Sequence, residues 1–69
     1  MQGKKLAIRL GKRLRELRGE TSQLQFSKKL GISKSSYNRM EIGEQNVTLE
    51  MLETICKRLK CDVCDLFKE

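Results

Sequence analysis

The apolar positions of this chain fall at helical rather than alternating intervals. Leu6, Leu10, Leu14 and Leu17 stand at i, i+4, i+8 and i+11, one stripe on a helix over about residues 5–18, with Arg and Lys on its other faces. Gly19 supplies a C-terminal stop. Ser22 opens a second segment as N-cap, with Gln25 three residues on in a capping-box pattern. The helix it starts covers 23–30, has Leu24, Phe26 and Leu30 as apolar positions, and ends at Gly31. Ser33 caps a third helix over 34–42, anchored by Tyr37, Met40 and Ile42 and closed by Gly43. A polar loop at 44–46 leads to Thr48, the cap of a fourth helix over 49–60 with Leu52, Ile55, Cys56 and Leu59 facing inward. Asp62 caps a last short helix over 63–67 that packs through Leu66 and Phe67. Proline is absent and Val, Ile and aromatic residues are few, so the expected class is all-α. Residues 1–69 are expected to form one five-helix domain, without an internal linker or repeat.

The middle of this pattern raises a physical question. The stretch SQLQFSKKLGISKSSYNRME holds two helices of about eight residues each, separated by little more than a Gly-Ile-Ser turn. Helices that short are marginal by themselves, so each must be held by the other and by the rest of the core. A short helix, a Gly-containing turn and a second short helix make a helix-turn-helix, over about 23–42. The outer face of the second carries Lys34, Ser35, Ser36, Asn38 and Arg39 and is nearly free of acids. An ordinary surface helix mixes signs there, because ion pairs one turn apart support it. A face of donors instead suits a DNA major groove, which admits one helix, while the preceding helix crosses the phosphate backbone.

Charge sharpens this reading. The net +6 is unevenly spread: residues 1–39 carry eleven Lys and Arg against two acids, and residues 40–69 carry four against seven. One side of the molecule is thus offered to a polyanion. No segment approaches the roughly 20 apolar residues of a membrane span. The opening MQGKKLAIRLGKRLREL is too charged for a signal peptide, so the cytoplasm is the expected compartment. Enzymatic chemistry is not expected. The chain has no His, no Ser–base pair and no carboxylate pair on an apolar pocket, and its size leaves little room for a cleft.

Cys56, Cys61 and Cys64 include a C-x-x-C, which raises zinc, redox sensing or plain thiols as readings. A structural zinc takes four ligands, and three Cys without His would need Asp62 or Asp65 to complete the set. Free Cys suits the small buried apolar positions at 56 and 61, and a cytoplasmic chain keeps its thiols reduced. Plain thiols are therefore preferred, with Cys64 exposed, and no metal or cofactor is expected.

From about Leu10 to Phe67 the chain resembles the lambda repressor/Cro-type helix-turn-helix regulators, including small single-domain members such as the controller proteins of restriction–modification systems. The residues that carry the resemblance are LGKRLRELRGETSQLQFSKKLGIS, then SKSSYNRMEIGEQNVTLEMLE, then ICKRLKCDVCDLF. They supply the Ser-Gln opening of the second helix, the Leu-Gly-Ile-Ser turn, the Arg-Met-Glu-Ile-Gly end of the third, the Thr-Leu-x-x-Leu of the fourth and the Asp-Leu-Phe close. Several such motifs in order and at fitting spacing are specific where one would not be.

The resemblance implies roles residue by residue. Lys34, Ser35, Asn38 and Arg39 match positions that face base edges, with Ser36 at the margin. Gln23, Ser33, Gln45 and Asn46 match phosphate-contacting positions, and Gln23 also matches a brace for a recognition-helix side chain. Arg18 and Glu41 match a salt bridge between the first helix and the end of the third. The chain departs from the family pattern at three places. Ser27 stands where Ala is usual, and its hydroxyl can bond back to a carbonyl. Val47 stands where Pro is common. Tyr37 stands where Ile or Val is commoner, with its ring packing and its hydroxyl reaching the edge towards a phosphate.

Together these readings point to a sequence-specific regulator that binds double-stranded DNA as a homodimer, two units reading a pseudo-palindrome with half-sites about one helical turn apart. The acid-rich C-terminal half, around Met51, Val63, Leu66 and Phe67, is the expected dimer surface. A second reading is an antitoxin-type module of the same fold, which binds a partner protein as well as DNA.

Overall fold

The computed structural model describes residues 2–44 and 47–67, and the described residues are helical with short connections. The helices are α1 (Gln2–Arg18), α2 (Gln23–Leu30), α3 (Lys34–Glu41), α4 (Leu49–Leu59) and α5 (Val63–Leu66). They form an all-α, five-helix arrangement, as the periodicity predicts. Three hydroxyl caps act through the same geometry. Ser22 Oγ accepts from the Gln25 N–H, Ser33 Oγ from the Ser36 N–H and Thr48 Oγ1 from the Met51 N–H, each at 3.1 Å. Each satisfies one of the donors that a helix start leaves unpaired. At α5 the Asp62 N–H donates to Asp65 Oδ2 at 3.0 Å.

The helix ends differ from the sequence expectation by a residue or more. α1 begins at Gln2, and α3 and α5 stop at Glu41 and Leu66. The fourth helix stops at Leu59 because Lys60 turns left-handed (φ 55°), so that the Lys60 N–H donates to the Lys57 carbonyl and the Cys61 N–H to that of Cys56. Gly31 does the same job at the end of α2 with φ 77°, at no steric cost.

Leu10, Leu14, Phe26, Leu30, Tyr37, Met40, Ile55 and Leu66 form the buried core, drawn from all five helices. Ile32, Val47, Met51, Leu52, Cys56, Leu59, Cys61 and Phe67 pack against it, partly buried. Of the first helix's leucine stripe only the middle pair is buried, and Leu6 and Leu17 are exposed. Seventeen residues make a helix about 25 Å long, longer than the 22 Å short axes of the molecule. Leu24, one of the apolar positions of the second helix, and Ile42, expected to anchor the third, also lie exposed.

Two contacts fix how the helix pairs meet. The rings of Phe26 and Tyr37 stand edge to face, centroids 5.4 Å apart at 70°, and lock α2 to α3. Gly11, in the middle of α1, lies against the end of α3: a Cβ there would sit 2.4 Å from the Met40 carbonyl oxygen and 2.5 Å from that of Glu41. The two backbones therefore approach to a distance that only glycine permits. A lone glycine inside a helical pattern is the sequence signal for such close packing. Ser27 is buried, and its hydroxyl donates to the Leu24 carbonyl at 2.7 Å. At the other end of the molecule, Arg13 Nε donates to the Asp65 carbonyl at 2.8 Å and ties α1 to α5.

Candidate nucleic-acid interface

α3 divides cleanly by face. Tyr37, Met40 and Glu41 are buried, whereas Lys34, Ser35, Asn38 and Arg39 are exposed and Ser36 lies half-buried between them. Ser33, the N-cap, is exposed at the start of the same surface. The five residues matched to base-reading positions thus share one side of one helix, whose inner side is anchored in the core. The single acid of α3, Glu41, is buried on the opposite side of the helix and does not interrupt this face.

Glu41 is the centre of a polar cluster that holds this helix in place. Arg18 Nε donates to Glu41 Oε2 at 2.7 Å and Arg18 Nη2 to Oε1 at 3.3 Å, a two-pronged ion pair from the end of α1. The Tyr37 hydroxyl donates to Oε2, and Gln23 Nε2 donates to Oε1 at 3.0 Å. Arg15 adds a looser, exposed cation at 3.9 Å. Arg18 Nη1 also donates to the Thr21 carbonyl at 2.9 Å, so the same guanidinium orders the turn between α1 and α2. Burial pushes the Glu41 carboxyl up, but the hydrogen bonds from Arg18, Tyr37 and Gln23 outweigh it and hold the group below the ordinary glutamate value. Burial, reinforced by the bond to the Glu41 carboxylate, pushes the Tyr37 phenol well above its ordinary value. The hydrogen bond to Glu41 holds the Arg18 guanidinium above its own.

Two expected roles change in this geometry. Tyr37 is fully buried and its hydroxyl is turned to Glu41 and the Leu14 carbonyl, so it does not reach the edge where a phosphate would lie. A phenol beside a buried carboxylate satisfies that carboxylate first, because an unpaired buried acceptor costs more than a solvent-exposed hydroxyl. The i, i+4 spacing of Tyr37 and Glu41 on one helix was the sequence signal for this contact. Gln23 spends its amide donors inside the protein: Nε2 also lies 3.3 Å from Asn38 Oδ1. Its bracing of the recognition helix is in place, and its side-chain N–H groups are taken by Glu41 and Asn38. Gln45 and Asn46 lie outside the described residues.

The expected dimer surface also changes. Leu66 is fully buried in the core and is not available to a partner, because the short α5 uses it to close the base of the bundle. Met51 and Phe67 are part-buried against the same core, and Val63 is 48 % exposed. Leu49, not singled out from the sequence, is 84 % exposed beside them as the first residue of α4. Leu49, Leu52 and Val63 line a shallow, largely apolar groove between α4 and α5.

All three cysteines are free, Cys56 and Cys61 part-buried and Cys64 exposed. Burial raises the Cys61 thiol above its ordinary value, which keeps it protonated. Among the described residues no cluster of three or more His, Cys, Asp or Glu side chains is placed to hold a metal ion. No helix among them is long and apolar enough to cross a membrane.

Comparison with known proteins agrees with this geometry. A family model described as helix-turn-helix matches residues 4–66. The control protein C.MunI of Mycoplasma sp is 33% identical over 67 residues, 93% of this chain and 90% of its own length. The antitoxin PezA of Streptococcus pneumoniae serotype 4 is 32% identical over 62 residues, and the plasmid copy control protein CopR of Streptococcus agalactiae is 41% identical over 44. These two matches cover 87% and 64% of this chain, which spans only 39% and 48% of the respective relatives. Among solved structures, the restriction-modification controller protein C.AhdI from Aeromonas hydrophila superimposes with a TM-score of 0.81 at 28% identity, over 97% of this chain and 100% of that one. With the matched span reaching from the first helix to the last, this chain belongs to the helix-turn-helix family of DNA-binding regulators, of the lambda repressor/Cro type.

Proposed function

We propose that this protein is a sequence-specific regulator of transcription that binds a pseudo-palindromic operator in double-stranded DNA as a homodimer, with α3 in the major groove. The observation that carries this reading is the exposed, acid-free face of α3 backed by a fully buried inner face. Lys34 and Arg39 are donors suited to guanine N7 and O6, and Ser35, Ser36 and Asn38 add shorter polar contacts beside them. Ser33, Gln45 and Asn46 are the proposed phosphate contacts, with the free backbone N–H groups at the start of α2 taking the place of the Gln23 side chain. The groove between α4 and α5, with Leu49 and Val63 at its surface, is the proposed dimer contact, and the part-buried Met51 and Phe67 remain proposed members of that surface. The protein acts by binding and not by catalysis, in the cytoplasm, without a cofactor.

Selection of bound sequences from a random DNA pool at near-physiological salt tests this. A two-fold symmetric motif with half-sites about one turn apart is expected. Recovery of weak, salt-sensitive binding without a motif overturns it and leaves the basic half as a non-specific surface. The similarity to the antitoxin PezA supports a second reading, in which the exposed apolar groove takes a partner protein. Co-purification of a stoichiometric protein encoded beside this one distinguishes that reading from a homodimer alone.

A further inference from the structure

Asn38 is the base-reading candidate whose hydrogen bonding is decided from inside the protein. Glu41 is held ionised by Arg18, and an ionised carboxylate can only accept. The amide group of Gln23 that lies 3.0 Å from Glu41 Oε1 must therefore be the nitrogen, whichever way the amide would otherwise turn. That nitrogen has two N–H groups. The second faces Asn38 at 3.3 Å, and a donor there requires the oxygen of the Asn38 amide opposite it. The carboxylate thus sets one amide, and that amide sets the next. Asn38 is exposed, and with its oxygen turned to Gln23 its outward polar group is the NH₂.

We infer that Asn38 reads DNA as a donor only and selects guanine, because Glu41 fixes its orientation through Gln23. The inference rests on the DNA-binding reading above and deepens it. A freely turning Asn pairs with adenine by accepting from N6 and donating to N7. An Asn held with its oxygen inward cannot accept from N6, and its NH₂ would meet the adenine amino group donor to donor. Guanine presents two adjacent acceptors, O6 and N7, on the same edge. Thymine presents one acceptor, O4, crowded by its methyl group. Gln23 and Glu41 are positioning residues in this scheme, and Asn38 makes the contact.

The test compares motifs selected from a random pool by the wild-type protein, Asn38→Ala and Gln23→Ala, with thermal melting to verify that each variant folds. The column that loses its preference in Asn38→Ala is the one Asn38 reads. In the wild type that column is expected to be G·C, favoured over A·T roughly tenfold, within the range of one good base contact. In Gln23→Ala the released amide can turn, so the same column is expected to admit A·T while the other columns keep their preferences. A purely structural role for Gln23 would weaken all columns together. An A·T preference in the wild type overturns the inference and leaves the regulator reading standing, as does a motif indifferent to Asn38→Ala. Absence of any motif overturns the regulator reading and this inference with it. Independently of DNA, NMR of the side-chain amides is expected to show both Gln23 protons slowed in exchange and both Asn38 protons fast. The reverse pattern overturns the orientation itself.

Discussion

Tyr37 and Glu41, one turn apart on α3, give the inner face of the exposed recognition helix a polar anchor. Tyr37→Phe keeps the ring and its contact with Phe26 but removes a hydrogen bond to a charged group. A loss of about 1.5–3 kcal/mol in urea unfolding is expected. The cluster also makes stability depend on pH. Glu41 has a folded value below its ordinary 4.5, so as pH falls the unfolded chain takes up its proton first. Its contribution is complete above about pH 4.5 and is lost as pH falls through the folded value. In Glu41→Gln this part of the acid limb is expected to flatten, at the cost of lower stability at neutral pH. Tyr37 has the opposite sign: its raised value means that its contribution is present below its ordinary 10.0 and is lost as pH rises further. Tyr37→Phe is expected to remove that alkaline term, which unfolding measured between pH 9 and 11 would reveal.

At the scale of elements, helix contacts and helix ends are set by single residues that contribute no side-chain contact of their own. Gly11→Ala improves the intrinsic helix propensity of α1 by about 1 kcal/mol. The added methyl has no space against the Met40 and Glu41 carbonyls, however, and these neighbours are backbone, which yields poorly. Overpacking of this kind costs typically 1–3 kcal/mol, so a net loss of thermal stability and a tilted α3 are expected. Lys60 is the converse case. It holds a left-handed conformation that glycine adopts without strain, and Lys60→Gly is expected to raise stability by up to about 1 kcal/mol. Denaturant midpoints of the two variants should therefore move in opposite directions, although propensity scales alone predict the reverse for both.

For the whole molecule, the same chain must present two surfaces, a basic one and an apolar one, from a core of eight buried hydrophobic side chains among the described residues. Val63→Glu places a charge on the exposed edge of the groove between α4 and α5 without touching that core. It is expected to shift sedimentation towards the monomer and to weaken operator binding, while the helical circular dichroism spectrum stays unchanged. Arg39→Ala is expected to act on the other surface. It should relax one position in each half-site, by about 1–3 kcal/mol, and leave self-association intact.

The helical class, the five elements and the caps at Ser22, Ser33 and Thr48 were legible in the sequence because they are local: a period of 3.6, a hydroxyl at a helix start and a glycine at its end need no knowledge of the rest of the chain. So was the sidedness of α3, since the spacing of Tyr37, Met40 and Glu41 separates them from Lys34, Ser35, Asn38 and Arg39 on any helix. The direction of the Tyr37 hydroxyl was not legible, because it depends on Arg18 and Gln23 arriving from two other helices to hold a buried carboxylate. Nor was the close approach at Gly11 legible, which exists only once α1 and α3 are packed. Leu66 reads in the sequence both as a packing residue and as part of the dimer surface, and only the structure, by burying it completely, decides between the two. Periodicity says which side of a helix is apolar. Only the tertiary structure decides how far along that side the neighbours extend, and which polar groups they enclose.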